Sequence, residues 1–238
     1  MTETYQFALP LVQAAQAQKH VTVNEALARL DAAAQLRLVS VSETVPPLSP
    51  PDGSAYFVPS GAVNDWNGQE GMVAVFANGG WVFLAPKIGW RAWVEDRARA
   101  AVFDGAAWRL EAAGLSAGGA ASFHRLIEFD HTVTAGPTSS TSVDIPNGEQ
   151  VIGITGRILD DITGSGVTGW DLGVAGATNR YGSGLGLAKN SWIRGLSGQP
   201  VTYWADTPLL MSAQGGDFAG GSVRFCIHSV RLEPPAAV

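Results

Sequence analysis

Cysteine is almost absent from this chain of 238 residues, which contains only Cys226. A single cysteine excludes an intramolecular disulfide framework and a zinc site built from cysteines. The residue lies within the apolar run SVRFCIHSV. This setting predicts a buried and unreactive thiol.

Charged residues are also scarce, at 15% of the chain against about 25% in an average domain. The 15 basic and 21 acidic residues give a net charge of −6. This balance argues against nucleic-acid binding, because that function needs clustered lysine and arginine. A surface with so little charge suggests that part of it is buried against other subunits.

Long apolar runs are missing as well. None approaches the roughly 18 residues that a membrane-spanning helix needs, so we expect no membrane insertion. The N-terminus lacks a basic segment followed by an apolar one. We therefore expect that the protein has no signal peptide and is synthesised in the cytoplasm.

The sequence also lacks the common histidine-based metal motifs and the phosphate-binding lysine motif. Its four histidines form no HExxH or HxH pattern, and no Lys-Ser or Lys-Thr follows the glycine-rich run at 182–186. Hydrolysis of a sugar chain needs two facing carboxylates about 5–10 Å apart. Asp160 and Asp161 are adjacent, so on one strand they would point to opposite faces. We expect no enzymatic activity, no metal and no cofactor.

Tryptophan, in contrast, is plentiful and concentrated between Gly79 and Trp108. This stretch holds four of the eight tryptophans, Trp81, Trp90, Trp93 and Trp108. Short apolar and polar alternations separated by glycine-containing turns predict β-hairpins. The favoured interpretation places these rings in the core of a small β-module, because tryptophan dominates the burial of such modules. The alternative is an exposed aromatic platform for a sugar or a partner chain.

The predicted fold class is mainly β. A helix is expected over Val23–Gln35, with Thr22 and Glu25 as a capping box and an apolar stripe that includes Val23 and Leu30. About eight short strands after Phe123 favour a β-sandwich of jelly-roll type. The predicted parts are an N-terminal arm and helix for attachment or oligomerisation (1–44), a small tryptophan-rich β-module (45–112), a flexible Gly/Ala linker (113–122) and a C-terminal β-sandwich (123–238) that binds the receptor.

Several segments then point to a known family. LPLVQAAQAQKHVTVNEALARLD, PPDGSAYFV, GGWVFLAPKIGW and FDGAAW follow one another over roughly residues 8–110. In this order they resemble a family of virion proteins, catalogued as a domain of unknown function, that recurs in alphaproteobacterial prophages and gene transfer agents. VIGITGRILDDITG and WADTPLLMSAQGGDFAGGSVRF are similar to the distal β-domains joined to that module.

The resemblance implies a structural subunit of a tail fibre or head spike, assembled on a phage-like particle and released by lysis. It implies contact with a polysaccharide or capsule on the host surface, and attachment to other virion proteins through the N-terminal region. A homotrimer is the first expectation for the assembly, and a pentamer is the alternative. The family supplies no established catalytic residue.

Sugar binding needs an exposed aromatic ring for the apolar face of a pyranose and polar side chains for its hydroxyls. Aromatic and polar side chains of the C-terminal part meet this description, because they fall in predicted loops or at strand ends. The candidates are Trp170, Asp171, Asn179, Arg180, Tyr181, Asn190, Trp192, Tyr203 and Asp206. For Tyr181 and Trp192 a core position remains an equal alternative, and for Trp170 and Trp204 a core position is favoured.

The function predicted from the sequence is therefore adhesion to host polysaccharide without catalysis. Two alternatives remain. The first is a purely structural collar or docking subunit of the virion. The second is an enzyme that degrades the capsule.

Overall fold

The computed structural model describes residue 4, residues 11–12 and residues 19–237, without the side chains of residues 19–22 and 25. Most of the predicted N-terminal arm thus lies outside the described residues. Strands make up 55% of the chain and helix 6%, which confirms the mainly β prediction. The chain divides into two compact units between Ala112 and Ala113. Within the described residues no helix is long and apolar enough to cross a membrane.

The first element among the described residues of the N-terminal unit is helix α1 (Lys19–Ala34). The helix starts earlier than predicted, so Thr22 lies inside its first turn and the predicted capping box is wrong. The predicted apolar stripe is not the buried face either, because Leu30 is 57% exposed while Asp31 and Ala32 are buried. The hydroxyl of Thr4 donates a hydrogen bond to Asp31 Oδ1 at 2.8 Å, which places a polar contact on that buried face.

Seven short strands complete this unit. They are β1 (Arg37–Leu38), β2 (Ala55–Phe57), β3 (Val73–Ala77), β4 (Gly80–Leu84), β5 (Arg91–Val94), β6 (Arg99–Phe103) and β7 (Trp108–Leu110). One sheet has the order β1-β5-β6-β7 and the other the order β2-β3-β4. β1 pairs in parallel with β5, so residues that precede the proline-rich segment VPPLSPPDG (45–53) contribute to the tryptophan-rich module.

The core of this unit holds most of the tryptophan rings. Trp66 and Trp108 are buried, and Trp81 and Trp90 are half-buried against the same apolar clusters. The core interpretation therefore holds for three of the four rings in the Gly79–Trp108 stretch. Trp93 is the exception, because its ring is 47% exposed.

The C-terminal unit contains longer strands. They are β8 (Ala112–Leu115), β9 (Ala121–Thr132), β10 (Thr138–Ile145), β11 (Gln150–Ser165), β12 (Gly169–Val174), β13 (Ala177–Leu185), β14 (Trp192–Thr202), β15 (Thr207–Gln214) and β16 (Asp217–Glu233). One sheet has the order β10-β15-β12-β13 and the other the order β14-β11-β16-β9-β8. Apart from β8, each sheet takes four of the eight strands in the order of a jelly roll. The predicted sandwich is confirmed.

The sandwich core lies between these two sheets. Leu172 and Met211 from one sheet and Ile154 and Phe225 from the other are fully buried in one apolar cluster. Burying a large apolar side chain contributes about 1.5–3 kcal/mol relative to its exposed state. Strands β14, β11, β16 and β9 of the second sheet pack one face against this core, and their other face is turned away from it.

The flexible linker predicted at 113–122 is wrong. Its ends form β8 and the start of β9, and the turn between them is closed by a hydrogen bond from Ser116 N to Ala120 O at 2.8 Å. The Ser116 hydroxyl also accepts a hydrogen bond from Ala120 N at 2.9 Å. Small residues suit a tight hairpin as well as a linker, and here the adjacent sheet offers hydrogen-bond partners.

Candidate functional site

Three of the nine candidate sugar-binding residues are buried. Trp170 and Tyr181 are almost fully enclosed in the sandwich core, and Tyr203 is buried beside them. The indole N–H of Trp170 donates to Gly186 O at 2.9 Å. A ring without an exposed face cannot stack on a sugar, so the predicted contacts of these three rings with a ligand are wrong. The interpretation of Trp170 as a core residue is correct.

Tyr181 and Tyr203 form a buried pair whose hydroxyl oxygens are 2.7 Å apart. Burial, followed by the hydrogen bond shared with Tyr203, raises the pKa of Tyr181 far above its usual value. The Tyr181 phenol therefore remains neutral, and the two hydroxyl groups satisfy one another. Their role is to complete the core.

The two candidate carboxylates bind groups of their own fold. Asp171 accepts hydrogen bonds from Gln214 Nε2 at 2.6 Å and from Gly184 N at 3.2 Å. Asp206 accepts one from the backbone N–H of Asn147 at 2.8 Å. Each carboxylate thus fastens a turn or a strand end, and neither lies beside an exposed aromatic ring of the candidate set.

Exposed tryptophans occur at the two ends of β14. Trp192 is its first residue and is 64% exposed, and Trp204 lies two residues beyond its end and is 81% exposed. The core position favoured for Trp204 is therefore wrong. A strand of this length separates the two rings by about 30 Å. They belong to different surfaces, and the candidates do not form one site.

The remaining candidates also separate. Asn179 and Arg180 are exposed, but they lie on β13, which was predicted to be a loop and belongs to the other sheet. Asn190 lies two residues before Trp192 and has a left-handed backbone, with φ of 69°. Its backbone oxygen accepts a hydrogen bond from Arg157 Nη1 at 2.9 Å. Of the nine candidates, only Asn190 and Trp192 lie on a surface beside another side chain that could bind a ligand, which is Arg157.

That surface is the outer side of the sheet β14-β11-β16-β9. Register places Trp192 opposite Arg157, Arg157 opposite Arg224, and Arg224 opposite Asp130. The next outward row follows the same strands and contains Arg194, Thr155, Cys226 and Glu128. We call these eight residues the Trp192 face. A shallow depression of about 490 Å³ lies on it.

Arg224 and Asp130 neutralise one another on this face. Arg224 Nε and Nη2 donate to the two carboxylate oxygens of Asp130 at 2.6 and 2.8 Å. The hydrogen bond from Arg224 lowers the pKa of Asp130, and the same bond raises the pKa of Arg224. The pair remains charged and fixed, which leaves the other two arginines as the available cationic groups.

Arg194 is exposed and has no hydrogen-bond or ion-pair partner among the described residues. Beside it, Thr155 Oγ1 lies 2.8 Å from His228 Nε2.

Cys226 is half-buried on this face and not fully buried as predicted. In the described part of the chain, no three His, Cys, Asp or Glu side chains are grouped closely enough to hold a metal ion.

Four residues of this face were not predicted from the sequence, namely Arg157, Thr155, Arg194 and Arg224. Part of the signal is local, because alternation in GITGRIL and WIRGL puts Arg157 and Arg194 on the faces opposite Ile158 and Ile193. Their meeting with Trp192 depends on the pairing of β11 with β14. That pairing joins residues more than thirty positions apart.

Comparison with known proteins gives a match for part of the chain. Residues 23–109 match a family described as "Protein of unknown function (DUF2793)". This match agrees with the resemblance found from the sequence, because both identify a catalogued domain without an assigned function. No curated protein matches. A chain of the cyanophage Pam1 capsid asymmetric unit is 26% identical, with a TM-score of 0.32, over 52% of this chain and 93% of that one. A TM-score of this size does not show a shared fold.

Proposed function

We propose that the protein is a virion subunit of a phage-like particle, from a prophage or gene transfer agent, that adheres to host surface polysaccharide without catalysis. The virion role is supported by the resemblance of residues 8–110 to tail-fibre and head-spike proteins. The matched domain at 23–109 covers most of that region. The adhesive role is assigned to the C-terminal jelly roll.

The exposure of Trp192 is the observation that carries the adhesive role. A tryptophan ring that remains 64% exposed at a strand end leaves much of a large apolar surface in water. A pyranose ring stacked on the indole would cover that surface. Arg157, Thr155 and Arg194 lie on the same face and offer hydrogen-bonding groups for the sugar hydroxyls.

Adhesion would then depend on many weak contacts. The N-terminal unit would attach the subunit to other virion proteins, as a homotrimer or alternatively as a pentamer. Several jelly rolls on one particle would bind a repetitive polysaccharide together, and this raises the overall affinity without any new contact.

The adjacent carboxylates suit a structural role better than hydrolysis. Asp160 accepts a hydrogen bond from the hydroxyl of Ser222 at 2.7 Å, and Asp161 accepts one from Lys189 N at 2.6 Å. We expect no release of reducing sugar ends when the protein is incubated with host polysaccharide. Release of such ends in proportion to enzyme and time would overturn the non-catalytic role.

The test of the site compares two exposed tryptophans of the same unit. Purified protein is titrated with host surface polysaccharide in a calorimeter, alongside Trp192→Ala and the control Trp204→Ala. We expect Trp192→Ala to weaken binding about tenfold, since loss of a stacked ring costs roughly 1–3 kcal/mol. Trp204→Ala should bind as the wild type does. Equal losses in both variants, or none in Trp192→Ala, would reject this site.

A structural collar is the second candidate function, and one observation favours it. Leu196 is 65% exposed on β14, and Ile152 on β11 and Leu126 on β9 are exposed in the same sheet. Exposed apolar residues on one sheet suit contact with another protein chain. Under this alternative, Leu196→Ser would change the mass of the oligomer that the protein forms, as measured by light scattering. Polysaccharide would then bind neither the variant nor the wild type.

A further inference from the structure

We infer that the Trp192 face selects acidic polysaccharides, with Arg157 and Arg194 binding the anionic groups of the chain. This inference rests on the proposed adhesive function and specifies its ligand class. The ligand would be a sugar polymer that carries carboxylate or phosphate substituents.

Strand geometry brings the two arginines to the exposed ring. Arg157 is the direct cross-strand partner of Trp192, and side chains in such pairs start about 5 Å apart. Arg194 is two residues beyond Trp192 on the same strand and side of the sheet, about 7 Å along it. A sugar on the indole ring would thus have its substituents within reach of both guanidinium groups.

The charges around these arginines leave them available to an anion. Asp130 is engaged by Arg224 in a two-bond ion pair. Glu128 shares a row with Arg194 but lies on β9, three strands away from β14. That separation is about 14 Å at the usual strand spacing. Asp160 lies in the next row of β11 and is engaged by the Ser222 hydroxyl at 2.7 Å and by Lys189 Nζ at 3.5 Å. Among the described residues, neither guanidinium group beside Trp192 forms an ion pair with a carboxylate.

Arg157 is also held in place before any ligand binds. Its Nη1 donates to the carbonyl of Asn190, at the left-handed turn before Trp192. A guanidinium group has five N–H donors in a fixed plane, so the others remain free for a carboxylate or phosphate. Fixing the side chain beforehand reduces the entropy lost on binding.

The net charge of the whole chain strengthens the argument for a local site. A protein with a net charge of −6 repels a polyanion at long range. Binding of an acidic polymer therefore requires specific cationic contacts, and it would be lost when those contacts are removed. General attraction to a basic surface cannot supply the affinity here.

The test uses host surface polysaccharide in three forms and the full-length protein. The forms are the native polymer, the polymer with carboxylates reduced to alcohols, and the polymer with phosphates removed. The protein variants are Arg157→Gln, Arg194→Gln and the control Arg180→Gln, which alters an exposed arginine on β13. Titration calorimetry at constant salt measures each affinity.

We expect binding to fall at least about tenfold for one of the two neutralised polymers, which also identifies the anionic group. Arg157→Gln and Arg194→Gln should each weaken binding of the native polymer about tenfold, and Arg180→Gln should not. Equal affinity for all three polymers would overturn the inference and leave the adhesive function in place. The same conclusion follows if Arg180→Gln weakens binding of the native polymer as much as Arg157→Gln and Arg194→Gln do. If none of the three polymers bound to the wild-type protein, both this inference and the proposed adhesive function would be rejected.

Discussion

At the scale of single residues, the carboxylate of Glu149 is the group of the jelly roll that most needs ionic and hydrogen-bond partners, because it is fully buried. Arg125 forms an ion pair with its Oε1, Arg231 Nη1 lies 3.8 Å from the same oxygen, and the hydroxyl of Ser229 donates to Oε2 at 2.6 Å. A buried charge is tolerated only when it is paired and hydrogen-bonded, and these partners meet that condition.

Replacement of Glu149 by Ala should lower the free energy of unfolding by about 2–3 kcal/mol. The change leaves Ser229 without its acceptor and separates two arginines from their shared anion, although both arginines are accessible enough to regain water. Urea denaturation checks the value. Glu128→Ala, at an exposed position, is the control and should change stability by less than about 0.5 kcal/mol. Similar losses in both variants would contradict the role given to Glu149.

The candidate site was only partly predictable from single residues. Tyr181 and Trp192 both follow short polar segments, and their local patterns left burial and exposure equally open. The structure separates them because Tyr181 points into the sandwich while Trp192 lies on an outer face. Trp204 adjoins strand-like residues and is nevertheless exposed. Burial of a large ring depends on which sheet covers it, and that information is not local.

At the scale of elements, strands β13 and β14 approach each other most closely at Gly195. A methyl group at this position would overlap the backbone carbonyl of Tyr181. Gly198 lies on the same strand, and no described atom lies within 4 Å of the place where its Cβ would be. The two glycines thus provide a matched pair for testing the closure of the sandwich edge.

Gly195→Ala should destabilise the protein by at least about 2 kcal/mol, because the overlap forces the two strands apart. Gly198→Ala should change stability by less than about 0.5 kcal/mol. Thermal unfolding of both variants measures the difference. If both glycines tolerated alanine equally, the close approach of β13 and β14 would be refuted.

His131 on β9 introduces a dependence on pH. The residue is buried, its Nε2 lies 2.8 Å from the hydroxyl of Ser139 on β10, and its ring lies 6.4 Å from that of Phe225. Burial lowers the pKa of His131 below the ordinary value of 6.5. The folded state therefore binds a proton less readily than the unfolded state does.

The free energy of unfolding should consequently fall as the pH decreases through 6.5 toward the lower pKa of folded His131. This loss should be absent above about pH 7.5, where the residue is neutral in both states. Urea titrations at about pH 7.5 and 5.5 measure the difference, with His131→Gln as the comparison. The variant should be less sensitive to acid than the wild type. An identical loss in both proteins would assign the effect to other groups.

Most strands of the jelly roll could be predicted, because β-branched and aromatic residues alternate along them. The exceptions have physical causes. Strand β13 contains Gly182 and Gly184, which weaken the local signal, and its pairing with β12 stabilises it. Strand β14 contains Gly198, which weakens the local signal, and it is continuous through that residue because it pairs along β11. Local propensity sets where strands form, and partner strands set how far they extend.

At the scale of the whole molecule, the two units carry different parts of the account. The N-terminal unit contains the region that matches the catalogued domain. The C-terminal unit contains the jelly roll and the Trp192 face. The proposed division of labour assigns attachment to the first unit and recognition to the second. The exposed arginines and tryptophan would act repeatedly on one particle, so a weak single site is sufficient.

The most direct measurement of the central claim is the amount of assembled protein that binds to capsulated host cells and to an isogenic strain without capsule. We predict binding that depends on the capsule for the wild type and for Trp204→Ala, and a strong reduction for folded Trp192→Ala. Equal binding to both strains, or no binding to either, would contradict adhesion to surface polysaccharide.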